Sequence, residues 1–338
     1  MEIKDAISKV VQSQHLSEQE AFASAQTIMR GGATDAQIAA LLVGLRMKGE
    51  TQDEITGFAK AMRSEATPVP CDSNKLVDTC GTGGDQSGTF NVSTISALVA
   101  AGAGCRVAKH GNRSISSQCG SADLLAQFGV KIDAGAEISS RCIDEAGIGF
   151  LFAPALHKAM RYAIGPRKEV GIRTIFNILG PLTNPAGAKR QLLGVFDENL
   201  TELLAGVLKK LGAEHVLVVH GEDGLDEISL SATTQVTEFK DGDVTSYKIQ
   251  PEDFGLKRMP LEAVQGGDPA INASIAMDVL NGIHSAARDM VLLNAGAVIY
   301  VGGMASSISD GIRLAADSID SQRALQKLEM LKRMSQEV

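Results

Sequence analysis

A glycine-rich segment, residues 78–94, has the composition of a loop that binds phosphate. It carries Gly81, Gly83, Gly84 and Gly88 between an apolar run and a predicted helix. Glycines let the backbone approach a ligand and turn its N–H groups inward, and a helix start adds the positive end of a dipole. The spacing fits neither GxGxxG nor GxxxxGK[ST], which excludes nucleotide binding by those two motifs. A plain connecting turn explains the glycines alone equally well.

Polar side chains at the end of this segment favour the phosphate interpretation. Asn91, Ser93 and Thr94 lie where the helix is predicted to begin, and helix capping explains one of them but not all three. Residues 91–93, 199–201 and 272–274 also fit the glycosylation pattern, but no secretion signal accompanies them. We therefore expect Asn91 to serve the ligand site.

A second polar cluster occupies residues 109–123, after the next apolar run. It combines Lys109, His110 and Arg113 with several serines, and it ends at a predicted helix over residues 121–128. Cations and a helix start favour a second anion site on the same edge of a sheet, and two such sites suit a ligand phosphorylated at both ends. The alternative is a solvated basic turn.

Two adjacent acids, Asp226 and Glu227, follow an apolar run at residues 215–220. Neighbouring carboxylates repel each other unless a cation lies between them, and oxygen ligands suit Mg²⁺ shared with a phosphate. An exposed acidic turn is the alternative, but ligands of α/β sheets gather at the ends of such strands. The sequence thus indicates a magnesium site.

Residues 157–185 mix cations, prolines and apolar residues in a way that suits a flat, partly apolar acid. An arginine would hold the carboxylate of that acid with its planar guanidinium group. The spacing does not say which arginine does so. The prolines equally indicate a crossover between two domains.

Helices are predicted throughout the first 65 residues, where apolar positions recur every three or four residues. Each helix opens with a Ser or Thr followed three residues later by Glu or Gln, the pattern of a capping box. The three boxes are Ser17/Glu20, Thr34/Gln37 and Thr51/Glu54. Pro68-Val69-Pro70 then makes a stiff connection, and we place a domain boundary there.

From residue 75 onward, short apolar runs alternate with helical stretches, which predicts a largely parallel α/β sheet. The runs are residues 75–80, 104–108, 149–153, 191–196 and 215–220. Residues 233–249 predict an antiparallel hairpin that turns at Asp241-Gly242. Helices are predicted near the C-terminus over residues 290–301 and 319–333.

The composition restricts the partners of the chain. Its 338 residues carry a net charge of −8, which argues against general binding to nucleic acid or anionic membranes. No apolar run is long enough to cross a bilayer, and the five cysteines lack paired CxxC spacing. We expect a cytoplasmic protein with reduced thiols, no nucleic-acid partner and no membrane partner.

The four polar segments together resemble the anthranilate phosphoribosyltransferases. GTGGD, KHGNRSISSxCGSAD, GIRTIFNILGPLTNPAG and GLDE occur in the order and spacing of that family, from about residue 16 to the last helix. The resemblance implies an α/β fold in which a small all-helical domain is hinged to a larger domain with a mostly parallel central sheet flanked by helices. The helical domain would comprise residues 1–70 joined by the crossover 166–190, and the larger domain residues 71–165 and 191–338. Homodimers would form through the helical part.

The same resemblance implies transfer of the phosphoribosyl group of phosphoribosyl pyrophosphate (PRPP) to the amino group of anthranilate, with Mg²⁺, as in tryptophan synthesis. Residues expected around PRPP are Gly81, Gly84, Asp85, Thr89, Asn91, Val92, Ser93, Thr94, Lys109, His110, Gly111, Asn112, Arg113, Ser114, Ile115, Ser116, Ser117 and Ser121. Mg²⁺ is expected at two positions per subunit, one held by Ser93 with Glu227 and one by Asp226 with Glu227. Anthranilate is expected at Gly81, Asn112 and Arg167, with His110, His157 and Pro181 lining its approach. No single nucleophile or base is expected.

Some positions depart from the family pattern, and two other functions stay open. The departures are Gln86, Gln118, Ala126 and Lys158, which affect loop mobility and affinity more than the reaction. His110 and His157 are equally well explained as packing residues. A pyrimidine nucleoside phosphorylase would share the architecture, but its nucleobase signature is not found at residues 109–113 or 171–185. A non-catalytic relative that binds nucleic acid is disfavoured by the acidic balance and by Asp226-Glu227.

Overall fold

The computed structural model describes residues 2–85, 87–114 and 118–337. The α-helices in these ranges are α1 Ile3–Val11, α2 Glu18–Met29, α3 Asp35–Lys48, α4 Gln52–Glu65, α5 Val92–Gly102, α6 Ser121–Gln127, α7 Ala136–Arg141, α8 Ala153–Leu156, α9 Arg161–Val170, α10 Phe176–Leu179, α11 Leu200–Lys210, α12 Pro269–Leu280, α13 Ala286–Val301, α14 Ile308–Asp320 and α15 Arg323–Ser335. The strands are β1 Leu76–Gly81, β2 Arg106–Gly111, β3 Ile148–Phe152, β4 Arg190–Gly194, β5 His215–Gly221, β6 Thr234–Lys240 and β7 Asp243–Ile249. None of the helices in these ranges is both long and apolar enough to cross a membrane.

The N-terminal helices begin where the sequence predicts. In α2, α3 and α4 the N-cap hydroxyl accepts from the third helical N–H, and the Glu or Gln side chain accepts from the N-cap N–H. All three capping boxes are therefore confirmed. Helices α2 and α4 lie so close that a Cβ at Gly57 would stand 2.4 Å from the carbonyl oxygen of Glu18. This close approach requires glycine at that position.

The crossover after β3 packs against the N-terminal helices. Helix α9 contacts α2 and α3, and Phe176 of α10 meets Phe58 of α4 edge to face, with the ring centroids 6.0 Å apart. Phe176 and Leu179 share one buried cluster with Phe58 and Leu41. This packing supports the prediction that residues 166–190 join residues 1–70, although the stated domain limits stay a prediction.

The sheet has the order β3-β2-β1-β4-β5-β6-β7, with β1 to β5 parallel and β6 and β7 antiparallel. The α/β fold class, with its helical N-terminal domain, is confirmed. The hairpin between β6 and β7 turns at Asp241 and Gly242, both with positive φ, as its left-handed turn demands. The strand order reverses between β1 and β4, and a crevice for a ligand forms at such a reversal.

Two element predictions are wrong. Strand β2 extends beyond the predicted residues 104–108 and includes Lys109 and His110, whose side chains are buried. The predicted helix 319–333 is divided into α14 and α15, because Gln322 has φ +62, a conformation that ends the first helix.

Candidate active site

The ends of β1 and β4 meet directly below the acidic pair. Gly81 and Gly194 are paired at the carboxyl edge of the sheet. A Cβ at Gly194 would lie 1.5 Å from the carbonyl oxygen of Asp226, and a Cβ at Gly81 would lie 2.2 Å from its Oδ2. Glycine at both positions is therefore what allows the acidic loop to lie against the glycine-rich loop. The structure brings together the first and third polar segments.

Several contacts fix the glycine-rich loop above this edge. The Gly83 N–H donates to Asp226 Oδ2 at 2.7 Å, and Gly83 and Gly84 both have positive φ. The Thr82 N–H donates to the carbonyl of Gly194 at 2.9 Å, and the Phe196 N–H donates to Thr82 Oγ1 at 3.2 Å. Glycine adopts positive φ at little cost, and a turn of this kind can direct backbone N–H groups toward an anion.

Asp226 and Glu227 are half-buried. Protein atoms surround most of each carboxyl group. Burial raises the pKa of Asp226 to about 6, with a further contribution from the charge of Asp85. Burial and the neighbouring Asp226 raise the pKa of Glu227 well above its usual range. Among the described residues no group of three His, Cys, Asp or Glu is arranged to hold a metal ion. A cation here would need further oxygen ligands.

Lys109 belongs to strand β2 and is not a loop cation, contrary to the sequence prediction. Its side chain is buried, and its ammonium group donates to the carbonyl of Thr79 at 2.7 Å and to Ser93 Oγ at 3.2 Å. Its charge also lowers the pKa of Glu227 against the effect of burial. Lys109 therefore orients Ser93 and offsets part of the negative charge of the site. Contact of Lys109 with PRPP stays a prediction.

Asp123 organises the second polar loop. Its carboxylate accepts from the N–H groups of Ser114 and Gly120 at 3.2 and 3.0 Å, and from the Arg113 guanidinium at 2.7 Å. Ser121 Oγ donates to the carbonyl of Asn112 at 3.2 Å. The sequence analysis did not single out Asp123, although an acid three residues after Gly120 at a helix start is a recognisable capping signal. Ile115, Ser116, Ser117 and Gln86 lie outside the described residues.

Asn91 links the two loops. Its backbone N–H donates to Asn272 Oδ1 at 3.2 Å, and its side-chain NH₂ donates to the carbonyl of Cys119 at 2.9 Å. Asn91 is the N-cap residue of α5, but its side chain makes no capping bond. Within the described ranges, the buried Asn91 Oδ1 and Thr94 Oγ1 have no hydrogen-bond partner. Buried polar atoms without a partner are costly, so both are suited to a ligand.

Two residues that the sequence analysis missed join the crossover to the sheet. Asp78 of β1 is buried, and it accepts from the His110 N–H at 3.1 Å and from the Asn184 side chain at 2.8 Å. Asn184 also donates to the carbonyl of Ala108 at 2.9 Å. Burial raises the pKa of Asp78. An acid inside an apolar strand run was the signal that could have identified Asp78.

The residues expected to line the approach of anthranilate lie around the crossover. The rings of His110 and His157 are 5.1 Å apart, and both side chains are buried. The carbonyl of Pro181 accepts from the Gln191 side chain at 2.8 Å. The Arg167 guanidinium stacks on Phe176 at 5.3 Å, and burial lowers the pKa of Arg167. Contact of Arg167 with a carboxylate stays a prediction.

The two histidines should make the protein sensitive to acid. Burial lowers the pKa of His110 to about 3, with help from the neighbouring His157, and burial lowers that of His157 to about 4. The folded rings therefore stay neutral while the unfolded rings take up protons below pH 6.5. The histidine pair therefore leaves the free energy of unfolding unchanged above that pH, and it lowers this free energy as the pH falls toward 4.

We expect His110→Gln with His157→Gln to reduce this acid sensitivity. Between pH 7.5 and 5 the double variant should lose less unfolding free energy than the original chain, by on the order of 2 kcal/mol per imidazole. Urea unfolding at the two pH values measures this difference, and the exposed His284→Gln serves as the control. Equal losses in the double variant and the original chain would contradict the neutral pair.

Comparisons with known proteins agree with this geometry. Residues 4–66 match the helical bundle domain, and residues 73–325 the a/b domain, of the glycosyl transferase family. The anthranilate phosphoribosyltransferase of Pelotomaculum thermopropionicum is 54% identical over 97% of this chain and 95% of its own. The Thermus thermophilus enzyme of that name has 44% identity and a TM-score of 0.94, covering 98% of this chain and 100% of its own. The anthranilate phosphoribosyltransferase of Saccharomyces cerevisiae, solved in complex with PRPP and Mg, has 26% identity and a TM-score of 0.90. The match covers 98% of this chain and 97% of the yeast chain.

Proposed function

This chain belongs to the anthranilate phosphoribosyltransferase family, and we propose that it transfers the phosphoribosyl group of PRPP to the amino group of anthranilate, releasing pyrophosphate. The observation that carries the proposal is the contact of Asp226 with Gly81, Gly83 and Gly194. This contact sets an acidic pair against an anion-binding turn at the carboxyl edge of the sheet. Carboxylates repel a phosphate that binds beside them unless a cation lies between the acids and the ligand.

The residues present fit magnesium. The side chains of Asp226, Glu227 and Ser93 supply only oxygen atoms as ligands. Burial disfavours the charged form of both acids, so a bound cation would stabilise them. Magnesium prefers such oxygen ligands and commonly shares a substrate phosphate. Ser93 and Glu227 would hold one ion, and Asp226 and Glu227 would hold a second. When bound, Mg²⁺ would supply positive charge against the pyrophosphate.

The chain's own residues bind the two substrates and keep them in register. The Gly83–Gly84 turn and the start of α5 hold the pyrophosphate. Asn91 Oδ1 accepts a hydrogen bond from the ribose, and the Thr94 hydroxyl donates to it or accepts from it. The reaction breaks the C1–O bond as the anthranilate nitrogen forms a bond to C1, and the amine proton is lost to solvent. Because the amine itself is the nucleophile, catalysis rests on positioning and charge stabilisation.

The crossover provides the acceptor side of the site. The pKa values near 3 and 4 keep His110 and His157 uncharged at neutral pH, so this buried pair adds no positive charge beside the acceptor. Arg167 stays cationic and is the residue we assign to the carboxylate, together with Asn112 and the Gly81 backbone. The neutral histidines leave Arg167 as the positive group at the acceptor.

Product stoichiometry tests the proposed reaction. With PRPP, Mg²⁺ and anthranilate, we expect one pyrophosphate released for each anthranilate consumed, and none when anthranilate is omitted. Release of ribose phosphate without consumption of anthranilate would contradict the proposal that anthranilate is the acceptor. Cleavage of thymidine or uridine by phosphate would instead identify a nucleoside phosphorylase. Salt-sensitive DNA binding without transfer would identify a binding protein.

We also propose a cytoplasmic homodimer that associates through the helical domain. Val11 of α1, Met47 of α3 and Ile164 of α9 are 65%, 83% and 57% exposed, although all three are apolar. The three helices adjoin one another, since α3 contacts both α1 and α9, and apolar side chains exposed on adjoining helices are typical of an interaction surface. We expect light scattering to give the mass of two chains, and Met47→Glu to shift it toward one. A single-chain mass at micromolar concentration would overturn this proposal.

A further inference from the structure

Arg173 connects the crossover to the glycine-rich loop. It lies between α9 and α10, and its guanidinium group donates a hydrogen bond to the carbonyl of Gly84. The same group lies over the ring of Phe196, 4.0 Å from the centroid. A Cβ at Gly84 would stand 3.0 Å from the Arg173 Nη2, so glycine at this position also leaves room for the arginine. None of the roles assigned above includes Arg173.

The hydrogen bond to Gly84 fixes the direction of the next N–H group. The carbonyl of Gly84 and the N–H of Asp85 belong to one planar trans peptide, so they point in opposite directions. With the carbonyl held toward Arg173, the Asp85 N–H points away from the crossover. Within the described residues the Asp85 N–H donates no hydrogen bond. It is available to an anionic ligand.

Phe196 explains why an arginine suits this place. Its N–H donates to Thr82 Oγ1 at 3.2 Å, and its ring supports the flat face of the guanidinium group. A planar guanidinium can stack on a ring and donate in its own plane at the same time, which an ammonium group cannot do. Asp226 meanwhile holds the Gly83 N–H, so the turn is fixed from two sides.

We propose that Arg173 is a positioning residue that orients the Gly84–Asp85 peptide for the pyrophosphate of PRPP. The proposal rests on the proposed function for the identity of the substrate. It makes the affinity of the loop for PRPP depend on the crossover, which also carries the acceptor site. Loss of the arginine should therefore weaken PRPP binding and leave the anthranilate contacts intact.

Substitution of Arg173 tests this assignment. Arg173→Gln should raise the KM for PRPP by about 10- to 100-fold, the effect of losing a hydrogen bond from a charged group. The KM for anthranilate and the melting temperature should change little. Arg173→Lys should recover part of the affinity, and Phe196→Leu should lose part of it. Arg161→Gln, which removes an exposed arginine at the start of α9, is the matched control.

Calorimetric titration with magnesium pyrophosphate tests the loop separately from the reaction. Arg173→Gln should weaken this binding about tenfold or more, whether or not the chain transfers ribose. If the unsubstituted protein binds pyrophosphate but consumes no anthranilate, the proposed reaction is wrong. The effect of Arg173→Gln on pyrophosphate binding can still be measured in that case. Unchanged pyrophosphate affinity in folded Arg173→Gln, or an equal rise in both KM values, would overturn the role of Arg173.

Discussion

Replacing the acidic pair by amides, Asp226→Asn with Glu227→Gln, should reduce turnover by about 1000-fold, because a metal ion contributes several kcal/mol of charge stabilisation. The amides keep the shape of the side chains but cannot ionise. Metal titration in the presence of PRPP should give two ions per subunit for the original chain and fewer for the double variant. The exposed Glu222→Gln, on the same loop, is the control.

The same variant should not lose stability. Burial raises the pKa of both acids, so the folded chain binds their protons more tightly than the unfolded chain. Stability from this pair is therefore highest at low pH and falls as the pH rises from about 4 toward the folded pKa values. At pH 7.5 and without ligands, we expect the double variant to melt at the same or a higher temperature. If the folded double variant retained its turnover, the assignment of Asp226 and Glu227 as magnesium ligands would be wrong.

Gly81→Ala should reduce turnover by at least about 100-fold, since a displacement of about 1 Å at a catalytic site has an effect of that size. The new methyl carbon would lie 2.2 Å from Asp226 Oδ2. Either the acid or the loop must move, and the bond from the Gly83 N–H to Asp226 then stretches or breaks. Steady-state kinetics with both substrates measures the effect.

A second glycine-to-alanine change provides the control for Gly81. Gly165 lies in α9, and the nearest atom to a Cβ there is Asp35 Oδ2 at 4.0 Å. Gly165→Ala should keep the activity and change stability little, because the better helix propensity of alanine is offset by Pro166, whose ring disfavours a helical conformation at the residue before it. If Gly81→Ala were as active as Gly165→Ala, the close contact of Asp226 with β1 would have no functional role.

The sequence predicted the parts of the fold that local rules determine. Capping boxes such as Thr51/Glu54 and the turn at Asp241-Gly242 depend on neighbouring residues, and the structure has them where they were expected. The glycine-rich loop and the acidic pair could be assigned to one sheet edge because strands of a parallel sheet end on the same side. These rules need no knowledge of distant contacts.

Distant contacts account for what the sequence did not predict. Lys109 was expected in a loop, but pairing with β3 extends β2 past it, and its ammonium group finds partners on β1 and α5. Arg173 was one of several arginines in the crossover, and only the path of the chain shows that it reaches Gly84. Asn272, in an apparent glycosylation site, is buried and holds the Asn91 backbone. Each depends on which segments the fold brings together.

Anthranilate fluorescence tests the central claim most directly. On mixing the protein with anthranilate, PRPP and Mg²⁺, we predict that the fluorescence decays as anthranilate is consumed. We predict no decay with excess chelator, and none when PRPP is omitted. Unchanged fluorescence with folded protein and all three components would contradict the account, and decay that persists in excess chelator would contradict its magnesium site.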